Sequence, residues 1–120
     1  MTIRRYTRPH VLVLSGLDPS GGAGIQADIQ AITALGCHPL PVVTCLTVQD
    51  TRNVYQAEPV AAELVRRQLE CVAADVPIHA IKTGALGTAD TVDVLVAFAQ
   101  TRSGIPLIAD PVIKAAGGGD

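Results

Sequence analysis

The sequence predicts an α/β domain built on a mostly parallel sheet covered by helices. Three observations carry this expectation. Short apolar runs alternate with stretches whose apolar residues recur at helical spacing. Hydrophobic residues make up 48% of the 120-residue chain but aromatics only 2%, so the core must be built from Ala, Val, Ile and Leu, as in strands buried on both faces. A glycine-rich turn, Ser15-Gly16-Leu17-Asp18-Pro19-Ser20-Gly21-Gly22-Ala23-Gly24-Ile25-Gln26-Ala27-Asp28, joins the first apolar run directly to the first helical stripe. Strand, turn and helix in that order place backbone N–H groups and a helix N-terminus at the carboxyl edge of a sheet, where α/β proteins bind small polar or anionic ligands.

Each element follows from its pattern. Val11-Leu12-Val13-Leu14 reads as a short buried strand. Ile25, Ile29 and Ile32 fall at i, i+4 and i+7, and Leu35 extends the stripe. Ser20 is placed to cap this helix and Gly36 to stand just past its end. Residues 41–48 are rich in β-branched side chains and read as a second strand, followed by the polar segment Gln49-Asp50-Thr51-Arg52-Asn53. Pro59 suits the first turn of a second helix, with Val60, Leu64, Gln68, Leu69 and Val72 on the helical period. Residues 78–82 form a third strand, closed by Thr83-Gly84. Thr88 caps a third helix bearing Val92, Leu95, Val96 and Ala99, with Asp90 and Asp93 near its positive end. Residues 105–109 form a fourth strand, ending at Asp110-Pro111. Four β–α units with short links imply parallel strands and right-handed crossovers. Residues 1–120 read as one domain. The last strand ends close to a terminal Gly117-Gly118-Gly119, so the domain is expected to be cut short.

Charge and composition exclude several classes of partner. A net charge of −2 argues against nucleic acid and anionic membrane surfaces. The longest apolar runs are too short to cross a bilayer, and no apolar signal-peptide core follows the basic residues 1–10. Cys37, Cys45 and Cys71 are widely spaced and odd in number, and read as reduced core thiols of a cytoplasmic protein. His10, His38 and His79 lack metal-ligand spacing.

The glycine turn is not a P-loop, because no Gly-Lys-Ser/Thr follows. Gly22-Ala23-Gly24-Ile25-Gln26-Ala27 matches the dinucleotide pattern G-x-G-x-x-A, but seven residues separate Leu14 from Gly22, whereas that fingerprint sits in a tight first turn. A longer loop around a neutral or phosphorylated ligand is the other reading. Asp28 falls beside the apolar stripe, where a carboxylate needs either a partner or the helix dipole. Gln49 ends the second strand, as an ordinary loop residue or as a ligand contact. Adjacent parallel strands would bring both to one crevice. A carboxylate accepts from an exocyclic amine, and a carboxamide both donates and accepts, so the pair could read the edge of an aminopyrimidine. Asp110 at a strand end suits Mg²⁺ or a phosphate network, or simply starts a turn. Lys82 could meet a phosphate or stay solvated.

The 15–28 segment resembles the N-terminal signature of the hydroxymethylpyrimidine/phosphomethylpyrimidine kinases, ribokinase-like enzymes of thiamine biosynthesis. Further matches are Thr44-Cys45-Leu46, Val48-Gln49-Asp50-Thr51-Arg52, Lys82-Thr83-Gly84-Ala85-Leu86 and Asp110-Pro111-Val112. The resemblance implies the N-terminal part of a ribokinase-like fold and a cytoplasmic homodimer. It also implies ATP- and Mg²⁺-dependent phosphorylation of a small aminopyrimidine, 4-amino-5-hydroxymethyl-2-methylpyrimidine or its monophosphate. By the same resemblance, Asp28 and Gln49 match pyrimidine-edge contacts, Gly16 a backbone position beside the ring, and Thr47 and Ala85 the pocket walls. Three residues depart from the family pattern: Thr47 replaces a usual Val, Ala85 a usual Met, and Leu17 a usual Ser or Thr. Ala85 opens room beside the hydroxymethyl group, so the monophosphate is the expected substrate. The family carries its anion hole, its catalytic group and most of its ATP site in the C-terminal half. The catalytic residue is therefore expected beyond Asp120, and these 120 residues alone are expected to be inactive. Two rival readings are a pyridoxal-kinase-like enzyme and a non-catalytic pyrimidine-binding module.

Overall fold

Side chains of the central strand alternate between two cores. In the computed structural model, which describes residues 8–110, β1 (His10–Leu17) sends Leu12 and Leu14 to one face of the sheet and Val13 to the other, all fully buried. The remaining elements follow in chain order as α1 (Gly24–Ala34), β2 (His38–Gln49), β3 (Val54–Pro59), α2 (Ala62–Asp75), β4 (Ala80–Thr83), α3 (Ala89–Gln100) and β5 (Leu107–Ala109). The strand order is β3-β2-β1-β4-β5, and every pairing is parallel except β2 with β3. α1 covers one face, packing Ile25 and Ile32 on Val13. α2 and α3 cover the other, packing Val65, Leu69, Leu95 and Phe98 on Leu12, Leu14, Val42 and Ile81. Each large aliphatic side chain buried in this way contributes about 2 kcal/mol.

The helix after β1 and the helix after β4 thus lie on opposite faces. The carboxyl ends of these two neighbouring strands form the switch point of the sheet, where an open α/β fold has its crevice.

The structure corrects several expectations. A fifth strand, β3, makes the sheet mixed, so the chain is not four β–α units. The polar segment after Gln49 is a hairpin turn, in which the Asp50 carboxylate accepts the amides of Arg52 and Asn53. β3 escapes the sequence pattern because it is an exposed edge strand with little apolar alternation. Pro59 ends this strand, and α2 begins at Ala62. α2 buries Val65 and Leu69 and leaves Leu64 exposed; α3 buries Thr91, Leu95 and Phe98 and leaves Val92 and Val96 exposed. Leu35 lies outside the α1 stripe, 80% exposed. Ser20 does not cap α1: the N-cap is Ala23, which makes no side-chain cap bond. Cys45 is buried, but Cys71 is exposed on α2 and Cys37 is half-buried.

Other expectations are met. Gly36 and Cys37 donate their amides to Thr33 and Ile32, the paired closure of a helix C-terminus. Thr88 Oγ1 accepts the Thr91 amide at 3.2 Å and caps α3. Two prolines in β2 are accommodated because β3 pairs only with Cys45 to Gln49. The His38 amide turns toward β1, so Pro39 and Pro41 present their missing N–H groups on the unpaired side. No helix among the described residues is long and apolar enough to cross a membrane.

The amino edge of the sheet gathers the three histidines. The buried His10 has its Nδ1 2.7 Å from the Pro77 carbonyl, and its amide donates to His79 Nδ1 at 2.9 Å. The rings of His38 and His79 each lie 5.6 Å from that of His10. Burial, then repulsion from His10 and Arg8, holds the His38 imidazole below its ordinary value. The unfolded chain therefore takes up a proton more readily than the folded one. The stability this represents is present above about pH 6.5 and is lost as the pH falls toward the folded-state value. The urea midpoint should be lower at pH 5 than at pH 7.5, and His38→Gln should flatten that difference; an unchanged slope in the variant would refute the assignment.

Candidate functional site

The loop between β1 and α1 is closed by its own carboxylate. Asp18, 6% exposed, accepts the Ser20 hydroxyl at 2.6 Å and the Ser20 amide at 2.8 Å. The Ser20 hydroxyl above all, with the amides of Ser20, Ala23 and Gly22, holds the Asp18 carboxyl below the usual range against the opposing effect of burial. Two N–H groups of this glycine loop are thus occupied from within the chain: that of Ser20 by the Asp18 carboxylate and that of Gly21 by the Asp18 carbonyl. β1 runs to Leu17, so residues 18–21 alone separate the strand from Gly22, not the longer gap counted from Leu14.

Gly24 opens α1 at φ +64°, and a Cβ there would lie 2.4 Å from the Gly16 carbonyl oxygen. Only glycine permits this approach, which clamps the start of the helix onto the end of β1.

β2 reaches the same edge through a bulge. Ser15 pairs with Val43 but Gly16 pairs with Cys45, which leaves Thr44 as the extra residue. Thr44 is buried and donates its hydroxyl to the Ala85 carbonyl at 2.6 Å. One extra residue reverses which side chains face which side, so the bulge sets the direction of Thr47 and Gln49. Gln49 Nε2 donates to Thr47 Oγ1 at 2.7 Å, and Thr47 Oγ1 donates to the Leu17 carbonyl at 2.8 Å.

Asp28 has a partner that the sequence reading did not identify. Its Oδ1 accepts from Lys82 Nζ, joining α1 to β4 across the switch point. The two side chains are 11% and 29% exposed, so Lys82 is not a solvated strand-end lysine. The signal was present in the sequence: a carboxylate beside an apolar helical stripe and an ammonium inside a buried strand. Asp28 and Gln49 stand at one edge but share no hydrogen bond.

On the α3 side, the Gly84 amide donates to the Leu14 carbonyl at 2.8 Å, and a Cβ on Gly84 would meet Ser15 Oγ at 2.4 Å. Beyond it lies an open concavity of about 390 Å³, lined by Thr83, Gly84, Ala85, Thr88, Val92 and Asp110 among others. The Asp110 amide donates to the Thr83 carbonyl at 2.9 Å. Pro111 and Val112 lie outside the described residues. Among the described residues no three His, Cys, Asp or Glu side chains converge to hold a metal. A magnesium ion carried by a nucleotide needs no such cluster, because it is held through one or two carboxylates, phosphates and water. Asp110 is the carboxylate of this concavity.

The sequence profile of the phosphomethylpyrimidine kinase family matches residues 18–120. The chain is 43% identical over 115 residues to a thiamine biosynthesis multifunctional protein of Corynebacterium efficiens, an alignment covering 96% of this chain and 16% of that protein. Its fold superposes on a phosphomethylpyrimidine kinase from Clostridium difficile with a TM-score of 0.82 and 32% identity, covering 92% of this chain and 48% of the other. A Bacillus subtilis pyridoxal kinase, solved as an ADP complex, superposes with a TM-score of 0.81 and 28% identity over 89% of this chain and 42% of the other. The chain therefore spans less than half the length of each of these relatives.

If Asp18 organises the loop, Asp18→Ala should lower stability by about 1 kcal/mol, since it removes the acceptor of the Ser20 hydroxyl and amide. The folded carboxyl is depressed, so its contribution is present above about pH 4 and lost as the pH falls through the folded-state value. Urea melts of wild type and variant should converge below pH 4; a constant gap from pH 7 to pH 3 would exclude the ionised carboxylate as the cause.

Proposed function

The chain belongs to the phosphomethylpyrimidine kinase family, and we propose that it forms the substrate-binding part of an ATP-dependent kinase acting on 4-amino-5-hydroxymethyl-2-methylpyrimidine or its monophosphate in thiamine biosynthesis. The observation that supports this reading is the pair of polar side chains at the carboxyl edge beside Gly16. Asp28 offers carboxylate oxygens to an exocyclic amine, and the half-buried Gln49 offers a carboxamide to a ring nitrogen. Thr47 holds the Gln49 amide from behind. Gly16, buried beside Cys45, is proposed to present its backbone to the edge of the ring.

ATP and Mg²⁺ would approach from the concavity that Thr83, Gly84 and Asp110 line. Phosphoryl transfer depends mainly on positioning and charge stabilisation. The groups that provide these are proposed to lie outside the 120 residues, in the parts of the kinase relatives that the chain does not span. A cytoplasmic homodimer belongs to the same proposal.

Ala85 borders that concavity and is half-buried. A short side chain there leaves space for a substrate phosphate and removes apolar cover from the bare alcohol, so the monophosphate is the proposed substrate. The B. subtilis pyridoxal kinase superposes nearly as well as the pyrimidine kinase, which keeps a pyridoxal-type substrate as the second reading.

Calorimetry separates the two readings. The aminopyrimidine should bind at least about tenfold more tightly than pyridoxal, and a reversed order would overturn the proposal. The 120 residues alone should turn over no ATP. In an active protein containing them, kcat/KM should favour the monophosphate, and Ala85→Met should raise the alcohol's share by about tenfold. Equal kcat/KM for both substrates in the wild type would reject the monophosphate preference.

A further inference from the structure

Among the half-buried charges of the site, Lys82 is the one for which the proposed reaction has no use. It stands inside β4 opposite Val13, the residue that packs on α1. Thr83 follows it and lines the concavity, so Lys82 turns to the other face of the sheet by the alternation of a strand. It is absent from the lining of that concavity, and its ammonium is engaged by Asp28, 54 residues away in sequence. The hydrogen-bond capacity of the pair is one-sided. An ammonium only donates and a carboxylate only accepts. With Oδ1 taken by Lys82, Oδ2 is the oxygen left with open acceptor capacity.

We infer that Lys82 is a positioning residue: its ammonium orients the Asp28 carboxylate so that Oδ2 faces the exocyclic amine of the substrate, and the ion pair thereby sets selectivity for an aminated ring. The inference rests on the reading of Asp28 as the amine contact. It assigns Lys82 no contact with a phosphate. A ligand with a donor at this position is accepted, and one without it leaves a partly buried carboxylate oxygen unsatisfied. In the absence of Lys82 the carboxylate is free to rotate toward solvent, and the discrimination goes with it.

The test is calorimetry on the full chain with two probes, the aminopyrimidine alcohol and its analogue lacking the 4-amino group. Wild type should prefer the aminated ring roughly 10- to 100-fold, the range of a charge-assisted hydrogen bond. Lys82→Met should reduce that preference below about threefold with circular dichroism unchanged, and Lys82→Arg should restore it. A folded Lys82→Met that keeps the full preference overturns the role of Lys82 while leaving Asp28 intact. No preference in wild type, or a full preference in Asp28→Asn, overturns the Asp28 reading and this inference with it. The ammonium resonance of Lys82 in the unmodified chain gives a measurement that does not depend on the variant folding. It should shift with the aminated probe and not with the other; an equal response to both overturns the inference.

Discussion

Asp18 accepts the hydroxyl and the amide of Ser20, and so folds the loop between β1 and α1 onto its own carboxylate. Gly24 completes the contact by lying directly on the Gly16 carbonyl. With that turn closed, α1 has one position on the sheet, and Asp28, one turn into the helix, has one position over the switch point. A glycine-rich turn that looks built to bind an anion is satisfied by an internal one.

Two further devices depend on this geometry. The bulge at Thr44 reverses the facing of the last residues of β2, so that Thr47 reaches the Leu17 carbonyl and steadies Gln49. The Asp28–Lys82 pair ties α1 to β4 across the crevice. A half-buried ion pair of this kind adds little net stability, because desolvation opposes the attraction. What it contributes is orientation, which a binding site needs more than it needs another fraction of a kilocalorie. The side chains of Asp28, Thr47 and Gln49 are therefore each held by an internal hydrogen bond.

Much of this was legible in the residues. The caps at Gly36 and Thr88, the aliphatic strands and the order of the elements other than β3 followed from local rules that need no partner. Gly16, Gln49 and Lys82 stand in the carboxyl-terminal halves of β1, β2 and β4, and Ala85 and Asp110 line the concavity beyond β4. The errors have common causes. β3 is an edge strand, so it lacks the apolar alternation that marks a strand. α2 and α3 carry apolar residues on more than one face, so periodicity alone did not choose between Leu64 and Val65, or between Val92 and Thr91. Ser20 looked like a cap because its hydroxyl fits that role; Asp18 claimed it first.

The sequence by itself determined the family and the α/β class, because these are written in ordered motifs and local spacing. The tertiary structure decided which residues act together. Asp28 meets Lys82 and not Gln49, the glycine loop binds its own carboxylate, and the bulge directs Thr47 and Gln49. Each of these is a contact between segments, or a register between strands, and neither can be read from the spacing of residues along one chain. Pairing across a fold depends on how helices and strands are rotated and offset against one another, and that is settled only when the two cores pack.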